Sequence, residues 1–229
     1  MKYKWLLLDA DGTLFDYDRA ETKALAQTFT ESGHPFQQQY VEVYRQINGQ
    51  LWLDFEQGKI AQERLKVQRF EQLLEAVGAT LDAGRFSEQY LKNLGGVADL
   101  FEGAEEVVRS LHGTVGLVLI TNGLARVQRS RLAKSTIKQY FAAVVISEEV
   151  GASKPDGRIF DAAFEKMGHP EKGKVLIVGD SLTSDMRGGS EYGIDTCWFN
   201  PKGKAREPGI TIRYEICKLQ ELTGIVREA

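Results

Sequence analysis

The chain has 229 residues, 42% hydrophobic and 27% charged, with a formal net charge of −3. That is the composition of a folded globular protein with length for one sizeable core and a smaller unit; no apolar stretch approaches membrane-spanning length. With no basic stripe, long nucleic acids are disfavoured as partners, although one lysine, a metal ion and helix amino-terminal N–H groups can still hold a small anion.

The first element is an apolar run, Trp5-Leu6-Leu7-Leu8, which ends abruptly in Asp9-Ala10-Asp11-Gly12-Thr13. Four apolar residues without polar alternation predict a strand buried on both faces. Asp9 and Asp11 then stand at i and i+2, so in extended geometry both carboxylates point the same way at the strand's carboxyl end. Two acids so close repel each other unless one is protonated or a cation sits between them. Asp-x-Asp-Gly is also a good turn-forming sequence, and the stretch alone leaves both readings open.

From about Glu21 to Gly95 the character changes to Gln- and Glu-rich sequence with apolar residues at helical spacing, such as Phe70, Leu73, Leu74 and Val77. Breakers at Gly33-His34-Pro35, Gly58, Gly78 and Gly95-Gly96 predict four helices joined by short connections. Beyond them, three more apolar runs of strand length end in polar signals. Residues 115–120 lead into Thr121-Asn122-Gly123, residues 142–146 into Ser147-Glu148-Glu149 and then Lys154-Pro155, and residues 175–178 into Gly179-Asp180-Ser181 with Asp185 close behind. Helical patterns at 124–134, 158–167 and 182–192 separate the runs. Strand, polar loop and helix in repetition predict an α/β doubly wound parallel sheet, whose ligands bind beyond the carboxyl ends of the strands. Asp9, Asp11, Thr121, Lys154, Asp180 and Asp185 should therefore meet at one edge. Thr-Asn-Gly and Gly-Asp-Ser can each also serve as plain helix caps. The two cysteines, Cys197 and Cys217, suggest reduced thiols, with Cys197 buried in an apolar run, and a cytoplasmic location is the default. His34, His112 and His169 flank Gly or Pro in loops and are assigned no chemistry.

Asp9-x-Asp11-x-Thr13, the strand-end Thr121, Lys154-Pro155 and Gly179-Asp180-x4-Asp185 together resemble the four motifs of the haloacid dehalogenase superfamily, in the expected order. The resemblance implies a Rossmann-like core from residues 1–16 and 98–229, with a helical cap of 17–97 inserted after the first strand. It implies a phosphatase in which Asp9 is the nucleophile and Asp11 the general acid and base. Thr121 with the N–H groups of Asn122 and Gly123 would cradle the phosphate, and Lys154 would stabilise its charge. Mg²⁺ is the implied cofactor, held by Asp9, the main-chain carbonyl of Asp11, and Asp180, with Asp185 direct or through water. Asn48, Leu51, Trp52 and Phe55, Arg69-Phe70, residues 146–151 and Thr196-Cys197-Trp198 with Asn200 are similar to the house-cleaning pyrimidine nucleotidase branch; Gly12 departs from it, standing where an acidic residue is common. That branch implies a nucleoside monophosphate as substrate and small-molecule partner, with Asn48 offering donor and acceptor to the base and Trp52 an apolar face. Trp52 and Phe55 are equally readable as helix core. A sugar phosphatase or phosphomutase would share the core motifs. A dehalogenase would need neither Asp11 nor Asp180. A non-enzymatic phospho-receiver would be shorter and lack the insert. The sequence carries no signal for oligomeric state.

Overall fold

The computed structural model describes residues 1–228. The strands are β1 (Trp5–Leu8), β2 (Gly116–Thr121), β3 (Ala143–Ile146), β4 (Val175–Gly179), β5 (Asp195–Phe199) and β6 (Tyr214–Ile216). They form a six-stranded sheet in the order β3-β2-β1-β4-β5-β6, and every pairing is parallel. From central β1 the chain steps one way to β2 and β3, then returns to β4 on β1's other side. Doubly wound sheets bind ligands at such a reversal, beyond the strand ends.

Between β1 and β2 come α1 (Tyr17–Glu31), α2 (Gln39–Glu56), α3 (Gln62–Ala76), α4 (Ala83–Leu94) and α5 (Ala104–Leu111). The later helices are α6 (Ala125–Lys134), α7 (Ser147–Val150), α8 (Gly157–Lys166), α9 (Arg187–Tyr192) and α10 (Glu221–Glu228). The chain divides into two compact units: Met1–Tyr17 with the chain from Ala98 onward, and Asp18–Val97.

In the α/β unit, the period of two along each strand feeds two cores. Leu6, Leu8, Leu117, Leu119, Leu176 and Val178 pack with α5 and α10 on one face, while Leu7, Val118, Ile120, Val175 and Ile177 pack with α8 on the other. This explains the unbroken apolar runs, since a strand covered on both faces has no solvent side to keep polar. β5, β6, α5 and α10 lie outside the elements expected from the sequence. The pattern at 182–192 predicts one helix. The chain instead makes a π-helical turn at Leu182–Met186 before α9. The cause is local: the Ser181 hydroxyl accepts from Ser184 N–H at 3.2 Å, and the Asp185 carboxylate folds back to accept from Ser181 N–H at 3.1 Å. Such π-turns recur at functional sites. Cys197 is a buried free thiol, pushed up to about 12 by burial, and Cys217 is free and exposed.

In the helical unit, α1 to α3 end just before Gly33, Gly58 and Gly78, which all adopt positive φ. A left-handed residue closes a helix's last turn, and glycine takes that conformation without steric cost. The core is aromatic: Phe29, Tyr40, Tyr44, Phe70, Phe86 and Tyr90 pack ring against ring. Among the described residues, no helix is long and apolar enough to cross a membrane.

Candidate active site

Asp9 follows β1 directly, and its N–H donates to the Val178 carbonyl of β4 at 2.9 Å. Sheet register thus fixes its backbone. Its buried carboxylate accepts from Lys154 Nζ at 2.6 Å on Oδ1 and from the Thr13 hydroxyl at 3.2 Å on Oδ2. Lys154, only 1% exposed, also donates to Asp185 Oδ1 at 2.7 Å and to the Ile120 carbonyl at 3.1 Å. All three ammonium hydrogens therefore have acceptors. One carboxylate oxygen each from Asp9, Asp180 and Asp185 lies within 4.8 Å of the other two. Asp180 is anchored through its carbonyl, which accepts from Trp198 Nε1 of β5 at 3.0 Å. Gly12, at φ +88°, leaves room for the Asp180 carboxylate, since a Cβ there would lie 2.7 Å from it.

The electrostatics follow from burial. Burial, opposed by Lys154 and aided by Asp185 and Asp180, pushes the Asp9 carboxyl well above the ordinary carboxylate range. Burial and the Asp185 charge push Asp180 up to about 7, against Lys204 and Lys154. For Lys154, burial works against the charged form, but Asp185 and Asp9 outweigh it and hold the ammonium above the usual lysine range. Three carboxylates around a single ammonium leave excess negative charge in a place with little water. A hard divalent cation with oxygen ligands would neutralise that excess, so the donor set fits Mg²⁺.

Other sequence-derived candidates are placed differently from expectation. Gly123 was read as a free phosphate donor, but its N–H donates to the Thr121 hydroxyl at 3.0 Å. The helix after it begins at Ala125, not Leu124, and the Ala125 N–H is taken by Glu148 at 2.6 Å. Asn122 does work the motif did not suggest: its side chain donates to the Lys154 carbonyl at 2.9 Å and accepts from Lys154 N–H at 2.8 Å. It thereby brackets the residue that holds Asp9. Asp11 stands outside the three-carboxylate group; its oxygens accept from Arg131 and Gln128 of α6.

Within the helical unit, Asn48 is buried on α2, and its Oδ1 accepts from Arg69 Nη1 at 3.2 Å. An arginine only donates, so the amide oxygen must face it. One lone pair of the amide oxygen is thereby engaged, which leaves the other lone pair and the amide nitrogen. Trp52, half-buried one turn later on α2, packs edge-on against Phe55 with centroids 5.6 Å apart. Arg131 and Gln128 were missed altogether. Arg126, Arg129 and Arg131 share one short helix, and nothing in the sequence says which is buried.

Residues 3–193 match the model of a family described as haloacid dehalogenase-like hydrolase. The chain is 33% identical to pyrimidine 5′-nucleotidase YjjG of Escherichia coli, over 99% of both chains. It is 36% identical to pyrimidine 5′-nucleotidase PynA of Streptococcus pneumoniae, over 97% of this chain and 94% of the relative. Among solved structures it resembles the putative HAD-hydrolase YfnB of Bacillus subtilis, described as bound to magnesium, with a TM-score of 0.94, 35% identity and 99% coverage of both chains. The family match runs from β1 through α9, and the relatives align nearly end to end: the chain belongs to the haloacid dehalogenase-like hydrolase family.

Proposed function

We propose that this hydrolase is a Mg²⁺-dependent phosphomonoesterase that cleaves pyrimidine nucleoside 5′-monophosphates through an aspartyl phosphate on Asp9. The observation that carries the reaction class is the buried Lys154 ammonium shared by Asp9 and Asp185, next to Asp180. The substrate class is supported by the near-full-length similarity to two proteins named pyrimidine 5′-nucleotidases.

Asp9 attacks phosphorus, and the bond to the ester oxygen breaks as the bond to the Asp9 oxygen forms. Lys154 and Thr13 hold the two Asp9 oxygens, which fixes the direction of attack. Asp11 gives a proton to the departing nucleoside oxygen, then takes one from the water that hydrolyses the acyl phosphate and frees Asp9 and inorganic phosphate. The Thr121 hydroxyl accepts from Gly123, which leaves its own hydrogen to donate to a phosphoryl oxygen. Asp9, Asp180 and Asp185, with the Asp11 carbonyl, would hold Mg²⁺, which when bound offsets the repulsion between carboxylate nucleophile and phosphate anion. None of these groups can tell a nucleotide from a sugar phosphate. We therefore assign discrimination to a cap formed by residues 17–97, with Asn48 and Trp52 as its substrate contacts.

A panel of phosphorylated metabolites with Mg²⁺ tests the proposal. Uridine and thymidine monophosphates should exceed purine nucleotides and hexose phosphates in kcat/KM. A hexose phosphate as best substrate would overturn the nucleotide assignment and leave the phosphatase. Failure to turn over any monoester would overturn both.

A further inference from the structure

Asp11 is gripped from one side by two residues that no catalytic motif contains. Arg131 Nη1 donates to Asp11 Oδ1, and Gln128 Nε2 donates to Asp11 Oδ2. The two donors lie three residues apart on α6, so they share one face of the helix. That helix directly follows the β2 strand end and Thr121. Arg131 is completely buried, and its guanidinium lies over the Phe15 ring at 4.5 Å from the centroid. Phe15 is itself tied into the Asp11 turn: its carbonyl accepts from Gly12 N–H at 3.0 Å, and its N–H donates to the Ala10 carbonyl at 2.8 Å. One arginine thus spans the turn that carries Asp11 and the helix that follows Thr121.

Gln128 supplies a second, independent sign. It is 3% exposed, and its Oε1 is buried without a hydrogen-bond partner among the described residues. A buried amide oxygen left without a donor is costly, and an aliphatic side chain of the same shape would avoid that cost. The amide earns its place through its nitrogen, which reaches Asp11.

We infer that Arg131 and Gln128 are positioning residues for Asp11: together they fix the plane of its carboxyl group and leave its remaining lone-pair positions for the substrate. One contact on each oxygen defines that plane, which a single contact would leave free to rotate. The planar fork of arginine, stacked on Phe15, suits this task better than a flexible ammonium. This rests on the proposed role of Asp11 as proton donor to the leaving group.

The test separates the two ideas. kcat/KM is measured for thymidine monophosphate, whose leaving oxygen needs a proton, and for p-nitrophenyl phosphate, whose leaving group needs little help. The variants are Gln128→Met, Arg131→Lys and Asp11→Asn, and the double variant Asp11→Asn/Gln128→Met. Gln128→Met keeps the helix and the volume and removes the unpartnered oxygen, so it should fold. Gln128→Met and Arg131→Lys should each lose roughly tenfold more on the nucleotide than on the aryl ester, and Asp11→Asn should show a larger bias of the same sign. Gln128→Met should add little in the Asp11→Asn background. If Asp11→Asn shows the bias but neither α6 variant does, the positioning inference falls and the acid assignment stands. Equal loss on both substrates would assign Gln128 and Arg131 to fold maintenance alone, and faster nucleotide cleavage in Gln128→Met would mean that the grip restrains Asp11 instead of aiming it. If Asp11→Asn lacks the bias, the acid assignment falls and this inference falls with it.

Discussion

The two units bury charge in different ways. In the α/β unit, Asp9, Asp180, Lys154 and Asp185 come from strand ends and from the loops and the π-helical turn beyond them, and they converge because parallel strands in register end side by side. In the helical unit, Glu21 and Arg69 lie inside helices, and they are buried because helix faces pack together. A strand-end charge is delivered by topology and can be aimed at a ligand without disturbing the core. A charge in mid-helix is part of the core, so changing it changes packing as well as chemistry. The contrast leads to predictions of decreasing size.

The largest effect belongs to Asp9. Asp9→Asn keeps shape and loses nucleophilicity, so turnover should fall at least a hundredfold while the thermal melt stays close to wild type. Activity above about a hundredth of wild type would break the covalent mechanism. Asp180 comes next. Chelator should silence the enzyme and added Mg²⁺ restore it, and Asp180→Ala should move the Mg²⁺ half-saturation upward in a titration of initial rate. Full activity in excess chelator would remove the metal from the scheme.

In the helical unit the effects should be smaller and selective. Asn48→Asp keeps an oxygen for Arg69 and deletes the amide donor, whereas Asn48→Ala deletes both. Each should lower kcat/KM for uridine monophosphate by roughly tenfold, the cost of about one hydrogen bond, and spare p-nitrophenyl phosphate. Equal losses on both substrates would make Asn48 a core residue only. Glu21 should give the smallest effect, on stability alone. Burial raises its carboxyl to about 7 despite its 2.8 Å ion pair with Arg45. The folded state thus binds a proton more tightly than the unfolded chain. Its contribution is fully present below the ordinary glutamate range and is lost as pH rises through about 7. Glu21→Gln should flatten the fall in melting temperature between acid and neutral pH, by several degrees at most. Parallel pH profiles for wild type and Glu21→Gln would count against this.

What could be read from the sequence follows the same division. β1, β2, β3 and β4 were visible because both-face burial writes apolar runs, and the polar residues after them were visible because they interrupt those runs. β5 escaped: its residues Asp195 and Thr196 dilute the run, and pairing with β4 and β6 makes it a strand. β6 has three residues, too few for any period. Within the site, Asp9, Asp180, Asp185 and Lys154 were named together with Asp11 and Thr121 from positions at and just beyond strand ends, and Asp11 lies outside the three-carboxylate group. The bracket of Asn122 on Lys154 and the grip of Arg131 and Gln128 on Asp11 were not named. Both are contacts between segments distant in sequence, and a polar side chain on a helix carries no local mark of which way it faces. The pairing of Asn48 with Arg69 was hidden for the same reason, since Arg69 lies on another helix.

The connectors on either side of the helical unit also bear on how the chain assembles. Asp16 N–H donates to the Asp99 carbonyl at 3.0 Å, Phe101 N–H donates to the Leu14 carbonyl at 2.9 Å, and Phe15 bridges antiparallel to Leu100. During synthesis β1 emerges first, yet its neighbours β2 and β4 follow only after more than a hundred residues. Closing so long a loop is an entropic burden that slows folding. The intervening residues have an aromatic core of their own, and the paired connectors bring Leu14 and Phe101 together. Once that bridge is made, β1 and β2 are separated in effect by little more than α5. The paired connectors thus act as a splice: they remove most of the chain length that the strand before Asp9 would otherwise have to search across.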